Sequence, residues 1–204
     1  MEYALTRIIL DRMHKDRRDP AQLRCAAEIV VFGSYATGLD TSESDIDILC
    51  VGNGLRQKSR SLDLSWVSDA AVCERAWLGS ELAGHIAKYG VWIKGTGQWR
   101  TCVFGGAEAI ERKRKRVISL SRTAYRFWDK LHPIFQEQYN ITIRRELQRL
   151  ALLLSGVRIP PTRLLDDEWG DGKHDTLLAL RDSIKELGVY EGQANVPTIL
   201  RLPA

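Results

Sequence analysis

The sequence predicts an α+β fold in which a small mixed β-sheet domain is followed by a helical bundle. Two patterns support this prediction. Short segments between residues 29 and 67 either are rich in β-branched residues or alternate apolar with polar residues, which is typical of strands. From about residue 107, apolar residues recur at helical spacing over long segments. We therefore expect one domain over 1–104 and a second over 105–204.

The amino-terminal part of the chain predicts a helix and then a buried strand. Apolar residues recur at helical spacing over residues 2–15, and a charged segment ending at Pro20 breaks the pattern. Ile29-Val30-Val31-Phe32 is a short run of large apolar residues, as expected for a buried strand. Gly33-Ser34 ends this run and begins a polar turn.

A second strand, expected over about 45–51, alternates carboxylates with large apolar residues. In a strand, this period of two places Asp45 and Asp47 on one face, and Ile46 and Ile48 on the other. The two carboxylates repel each other when nothing neutralises them. A divalent cation would remove this repulsion, and a ligand set made only of oxygen atoms suits Mg²⁺, with Mn²⁺ as the alternative.

The Gly33-Ser34 turn adds a second half to this candidate site. A turn that leaves a strand and enters a helix offers backbone N–H groups and a hydroxyl, and these groups bind phosphate. A phosphate-binding turn beside a strand with paired carboxylates indicates a site for a metal-bound nucleoside triphosphate.

These residues resemble a known signature. Gly33-Ser34, followed after ten residues by Asp45-Ile46-Asp47, resembles the motif of the DNA polymerase β-like nucleotidyltransferase superfamily. The spacing is most similar to that of the minimal nucleotidyltransferases, which include the antitoxins of MNT/HEPN toxin–antitoxin pairs. The resemblance extends over roughly residues 28–95. It implies a polymerase β-like palm domain that transfers a nucleoside monophosphate, AMP from ATP, to a hydroxyl of a protein, a tRNA or a small molecule.

The resemblance also implies roles for individual residues. Asp45 and Asp47 would be catalytic metal ligands, and Asp63, on a third strand expected over 61–67, would complete a site of three carboxylates. The expected nucleotide contacts come from Gly33, Ser34 and Ser44. Thr37 stands where many minimal nucleotidyltransferases have arginine. Either the phosphate contact is weaker here, or another basic residue takes this role, and Lys58 and Arg112 are the candidates.

The rest of the chain predicts a helix over 80–89, a short strand ending at Gly95, and then helices over about 107–131, 134–155 and 175–187. The basic run Arg112 to Arg116 is interpreted either as a solvated helix face or as a rim near the triphosphate or an RNA backbone. The helical half is interpreted either as a domain that binds the acceptor or as an interface in a homo-oligomer.

Composition sets outer limits on function. Thirty Lys and Arg residues against 26 Asp and Glu give a net charge of +4, which is too small to indicate nucleic-acid binding by itself. We see no signal peptide and no apolar run long enough to cross a bilayer. The four cysteines are widely spaced and form no CxxC motif, as expected of a reduced, cytoplasmic protein.

Two alternatives stay open. The first is a binding module, such as an antitoxin, that uses a nucleotidyltransferase fold without catalysis. The second is a nuclease, either metal-dependent or of the HEPN type, for which Arg126 and His132 have roughly the required spacing.

Overall fold

The structure, a computed structural model, describes residues 2–168. The chain divides into two compact units, Met1–Gly106 and Ala107–Ala204. The first unit contains a five-stranded mixed sheet flanked by helices, and the described part of the second unit is helical. The predicted α+β class, with a sheet domain followed by helices, is confirmed.

Five strands and four α-helices form the first unit. The strands are β1 (Glu28–Phe32), β2 (Ile46–Val51), β3 (Gln57–Lys58), β4 (Leu62–Val67) and β5 (Val91–Lys94). The helices are α1 (Glu2–Lys15), α2 (Gly33–Thr37), α3 (Arg75–Leu78) and α4 (Glu81–Tyr89), with short 3₁₀ segments at Pro20–Cys25, Ala71–Cys73 and Gln98–Cys102. The order across the sheet is β3-β4-β2-β1-β5, and only β2 and β4 pair in parallel.

The sheet buries apolar residues on both faces. On one face, Ile9 and Met13 of α1 pack with alternate residues of the central strands, including Ile46, Ile48 and Leu64. On the other face, the core cluster combines sheet residues with α4 and the segments beside it, and its buried members are Val30, Leu49, Val51, Val72, Ala83, Ile86 and Trp99. The alternation in β2 thus separates Ile46 and Ile48 from Asp47, as the period of two predicts.

Two local details differ from the sequence-based expectations. The second strand begins at Ile46, so Asp45 lies in the loop immediately before it. The two-residue strand β3 was not predicted, because Gln57 and Lys58 carry no apolar pattern. Contacts from distant residues fix this strand, since Arg18 and Gln22 both hydrogen-bond the side chain of Gln57.

The central strands should carry most of the stability of the sheet unit. We expect Leu64→Ala to lower the free energy of unfolding by about 2–5 kcal/mol, because Leu64 is fully buried and its removal leaves a cavity. Leu55→Ala is the matched control, since this side chain is 82% exposed; its effect should stay within about 0.5 kcal/mol. Urea unfolding measures both values, and equal effects would contradict the described core.

The second unit is described as far as residue 168 and contains α5 (Ala107–Phe127), α6 (Pro133–Leu154) and α7 (Thr162–Glu168). Helix α7 was not predicted, and the helix expected over 175–187 lies outside the described residues. Helices α5 and α6 pack together. A nearly buried ion pair joins them, in which Lys113 Nζ lies 2.8 Å from Glu146 Oε2, and Arg149 donates to the same carboxylate.

The ion pairs of the basic run, Arg112 to Arg116, show that its side chains do not all face solvent or a ligand. Lys113 lies inside the helical unit, whereas Arg112, Arg114 and Lys115 form ion pairs with Glu108 or Glu111 of their own helix. The run is therefore partly neutralised within α5 and is not a continuous cationic face.

Across residues 2–168, no helix has both the length and the apolar character needed to cross a membrane.

Candidate active site

The turn after β1 packs directly against one of the predicted carboxylates. Gly33 follows β1 without a loop, begins α2 and has φ +72°, a conformation that favours glycine. A Cβ atom at this position would overlap with Oδ2 of Asp47. The backbone of the turn and the carboxylate therefore belong to one site, and glycine is the residue that permits their close approach.

Two neighbouring hydroxyls in α2 have different roles. The Thr37 hydroxyl donates to the carbonyl oxygens of Gly33 and Ser34, each at 3.1 Å, and so bonds its own helix. Within the described residues, the half-buried Ser34 hydroxyl has no hydrogen-bond partner, and no side chain caps the start of α2. The residue that replaces the expected arginine is thus occupied locally, while Ser34 can still donate to a ligand.

The strand register brings two of the three predicted carboxylates side by side. In the parallel pair of β2 and β4, Asp47 is the partner of Asp63, and on the other side of β2 Asp47 pairs with Phe32. Asp45 lies half-buried one residue before β2. The side chain of Ser44 instead accepts a hydrogen bond from the backbone of Thr41 within its own turn, so its contact with a nucleotide stays a prediction.

Negative charge at Asp47 is only weakly compensated. Burial, together with the neighbouring charges of Asp45 and Asp63, raises the pKa of the Asp47 carboxyl from its ordinary value of 3.8 to about 6, and Lys58 opposes the shift. Among the described residues, no cation or hydrogen-bond donor contacts the side chain of Asp45 or Asp47. Carboxylates in this state would be stabilised by an added cation.

Asp63, by contrast, is already neutralised. Its buried carboxylate receives two hydrogen bonds from Arg56, at 3.3 Å and 2.9 Å, and lies 3.1 Å from Nζ of Lys58. Hydrogen bonds from Arg56 are the main reason why the pKa of Asp63 lies below its ordinary value. Asp63 therefore remains ionised, with its charge balanced by two long side chains.

Asp45 and Asp47 fit a divalent cation, whereas Asp63 is engaged elsewhere. The first two offer oxygen ligands that carry unrelieved charge, which is the chemistry that Mg²⁺ and Mn²⁺ require. Nowhere in residues 2–168 does a group of three or more His, Cys, Asp or Glu side chains form a metal site. Asp63 is paired with Arg56 and Lys58, so its role as a third metal ligand stays a prediction.

Arg56 is a site residue that the sequence did not indicate. Lys58, a candidate for phosphate contact, lies beside Asp63 in this structure, and its contact with phosphate stays a prediction. The sequence did contain one indication of this arrangement. Arg56 and Lys58 alternate just before a turn, and the strand after the turn carries Asp63. A hairpin would place the basic residues opposite the acidic one. His85, near the site, packs against the rings of Phe32 and Tyr89.

The raised pKa of Asp47 predicts a pH-dependent stability difference. A carboxyl whose pKa is higher in the folded state, about 6 against 3.8, favours folding below pH 4, and this contribution is lost as the pH rises through 6. An asparagine at this position cannot ionise. Without divalent cations, we therefore expect Asp47→Asn to gain stability relative to wild type as the pH rises from about 4 to about 7. Melting temperatures of both proteins across this range test it, and a constant difference would contradict it.

Comparison with known proteins agrees with this geometry. Residues 10–89 match the family described as "Nucleotidyltransferase domain". These residues form a nucleotidyltransferase domain. The match extends from α1 to α4, and it includes the Gly33–Ser34 turn, Asp45, Asp47 and Asp63. The resemblance identified from the motif is thereby confirmed.

The comparisons with solved structures and with curated proteins give no further information on function. One solved structure, titled "Crystal structure of the toxin-antitoxin with AMP-PNP", is similar over 61% of this chain and 95% of that chain, with 17% sequence identity and a TM-score of 0.27. A likeness of this size says nothing about ligands or partners of the present chain. No curated protein matches the chain.

Proposed function

We propose that the protein is a metal-dependent nucleotidyltransferase. It transfers a nucleoside monophosphate, AMP from ATP, to a hydroxyl of a protein, tRNA or small-molecule acceptor and releases pyrophosphate. The observation that carries the proposal is the close approach of the Asp47 carboxylate to Gly33, where a Cβ atom would overlap with Oδ2, within a domain that matches a nucleotidyltransferase family. A phosphate turn and a metal-binding carboxylate must be adjacent in order to hold one metal-bound triphosphate.

Asp45 and Asp47 would hold the divalent cation. When bound, Mg²⁺ supplies positive charge that stabilises the phosphate oxygens during transfer. In this role the repulsion between the two carboxylates and the burial of Asp47 become favourable, because both increase the affinity for a cation.

The Gly33–Ser34 turn would orient the phosphates. The Ser34 hydroxyl and the first backbone N–H groups of α2 donate hydrogen bonds to phosphate oxygens, since no side chain caps this end of the helix. The absence of a Cβ at Gly33 lets the chain approach both the phosphates and Asp47.

Asp63 would accept the proton of the acceptor. The acceptor oxygen forms a bond to the α-phosphorus, the bond from this phosphorus to the oxygen bridging to the β-phosphate breaks, and pyrophosphate leaves. The hydroxyl proton passes to Asp63 and then to solvent. While Arg56 and Lys58 hold it, Asp63 is a weak base, because their hydrogen bonds and charge lower its pKa.

Covalent transfer tests the proposal and identifies the acceptor. The purified protein is incubated with Mg²⁺ and each α-labelled nucleoside triphosphate in turn, with and without extract of its source cells. We expect label from ATP on a protein, an RNA or a small molecule. The helical half either binds that acceptor or joins subunits in a homo-oligomer. Variants in which this half is removed or mutated can then be compared with wild type by the amount of label that they transfer.

A binding module without catalysis is the second candidate. The occupation of Asp63 by Arg56 and Lys58 favours it, because a carboxylate held by both cations is not free to act as a base or as a third metal ligand. Such a module would bind a partner and show no covalent transfer with any nucleotide or extract, although the protein was folded.

A further inference from the structure

Arg56 and Lys58 bring two positive charges to one buried carboxylate. Their side chains are 66% and 63% exposed, whereas the side chain of Asp63 is 8% exposed. Asp63 by itself needs only one cation for neutrality, so the second positive charge can act on a neighbouring anion, as the charge of Lys58 acts on Asp47. Two exposed cations on one buried acid are more than a stabilising ion pair requires.

Hydrogen bonds to residues at and after the end of α1 fix the β3–β4 hairpin, whose strand β3 and preceding residue carry these cations. The Asp16 carboxylate, at the end of α1, accepts hydrogen bonds from the hydroxyls of Ser59 and Ser61 in the β3–β4 turn. Arg18 donates to Gln57 at 2.6 Å. The hairpin is therefore fixed, while the long side chains of Arg56 and Lys58 reach into solvent and can change partner without a backbone movement.

The nucleotide site needs cations that its own turn does not supply. A nucleoside triphosphate carries several negative charges, and Thr37, which replaces the expected arginine, bonds its own helix. The strand register places Asp63 beside Asp47, so the cations that hold Asp63 lie next to the carboxylate that a Cβ at Gly33 would meet. Arginine forks and lysine ammonium groups are the usual protein partners of phosphate oxygens.

We propose that Arg56 and Lys58 are nucleotide-binding residues that exchange partners between Asp63 and the triphosphate. Without nucleotide they neutralise Asp63. When a metal-bound triphosphate enters, they turn to its phosphate oxygens and release Asp63 for the cation and the acceptor hydroxyl. This inference rests on the proposed function, and it gives the site the phosphate-binding cations that Thr37 does not provide.

The exchange predicts opposite effects on two ligands. In an Arg56→Gln/Lys58→Gln variant, Asp63 is released, so Mn²⁺ alone should bind several-fold more tightly than to wild type. The affinity for the Mg²⁺ complex of an ATP analogue with a methylene α–β bridge should fall about tenfold or more, because two charge-assisted contacts are lost. Titration calorimetry measures both affinities without any chemical step.

Arg60→Gln is the matched control. Arg60 lies in the same hairpin and is exposed, and within the described residues it has no ion pair. Its removal changes the net charge by the same unit as each single variant, so it should leave both affinities within about twofold of wild type. The single variants Arg56→Gln and Lys58→Gln, checked by melting temperature, replace the double variant if it does not fold.

The outcomes separate this inference from the proposed function. If wild type binds the analogue and the double variant binds it equally well, the exchange is wrong and the proposed function stands. If the double variant loses affinity for Mn²⁺ and nucleotide together, Arg56 and Lys58 only maintain structure, which also overturns the exchange. If folded wild type binds no Mg²⁺–analogue complex, both proposals are overturned.

Discussion

Asp47→Asn is expected to reduce nucleotidyl transfer by about a thousandfold or more, since a metal-binding carboxylate contributes several kcal/mol to the transition state. The substituted asparagine keeps the shape of the side chain but removes the charge that would hold the cation. The fold should survive, because the change relieves repulsion with Asp45 and Asp63. Initial rates with α-labelled ATP measure the effect, and Asp45→Asn should behave in the same way.

Asp69→Asn is the control for this loss. Asp69 is exposed and follows the carboxyl end of β4, whereas Asp63 lies near the other end of that strand. Asp69→Asn removes one negative charge from the sheet unit, as Asp47→Asn does. The transfer rate of the Asp69→Asn variant should stay within about twofold of wild type. Near-normal transfer by Asp47→Asn would show that this carboxylate does not hold a catalytic metal.

Gly33→Ala is expected to be the most damaging single-methyl substitution at the site. The added Cβ meets Oδ2 of Asp47 and must also adopt φ +72°, so the turn and the carboxylate have to separate. We expect a loss of about 1–3 kcal/mol in the free energy of unfolding, and transfer reduced by about a hundredfold or more, because the phosphate turn moves away from the metal ligand. Urea unfolding and initial rates measure the two effects.

The Gly38→Ala variant distinguishes the effect of backbone strain from the effect of steric overlap with Asp47. Gly38 ends α2 with φ +69°, close to the value at Gly33, but a Cβ there meets no atom within 4 Å. Both alanine variants therefore carry the cost of a left-handed conformation, about 1–2 kcal/mol, and only Gly33→Ala disturbs Asp47. Equal loss of transfer in the two variants would mean that the close approach of Asp47 to Gly33 has no catalytic role.

Local patterns predicted the elements that build the site. The β-branched run before Gly33 became β1, and the alternations around Asp47 and Asp63 became β2 and β4, because each pattern reflects burial of alternate residues within one segment. The beginning of β2 at Ile46 was less predictable, since it depends on pairing with a distant segment, through the bond from the Ile46 N–H to the Ser61 carbonyl.

The partners of Asp63 could not be predicted from such patterns. Strand β3 is two residues long, and Arg18, Gln22 and Asp16 hold its hairpin through hydrogen bonds that span at least 35 residues of sequence. Periodicity reports which face of an element is buried, and it carries no information about which cation reaches a buried carboxylate. The acceptor and the choice of nucleotide depend in the same way on surfaces that no motif describes.

The most direct test of the central claim compares α-labelled with γ-labelled ATP in parallel reactions with Mg²⁺, source-cell extract and either wild type or Asp45→Asn/Asp47→Asn. We predict that wild type labels an acceptor from α-labelled ATP only, with the γ-label recovered as pyrophosphate, and that the double variant labels nothing. Labelling from γ-labelled ATP, or equal labelling by the folded double variant, would contradict nucleotidyl transfer at the Gly33–Asp47 site.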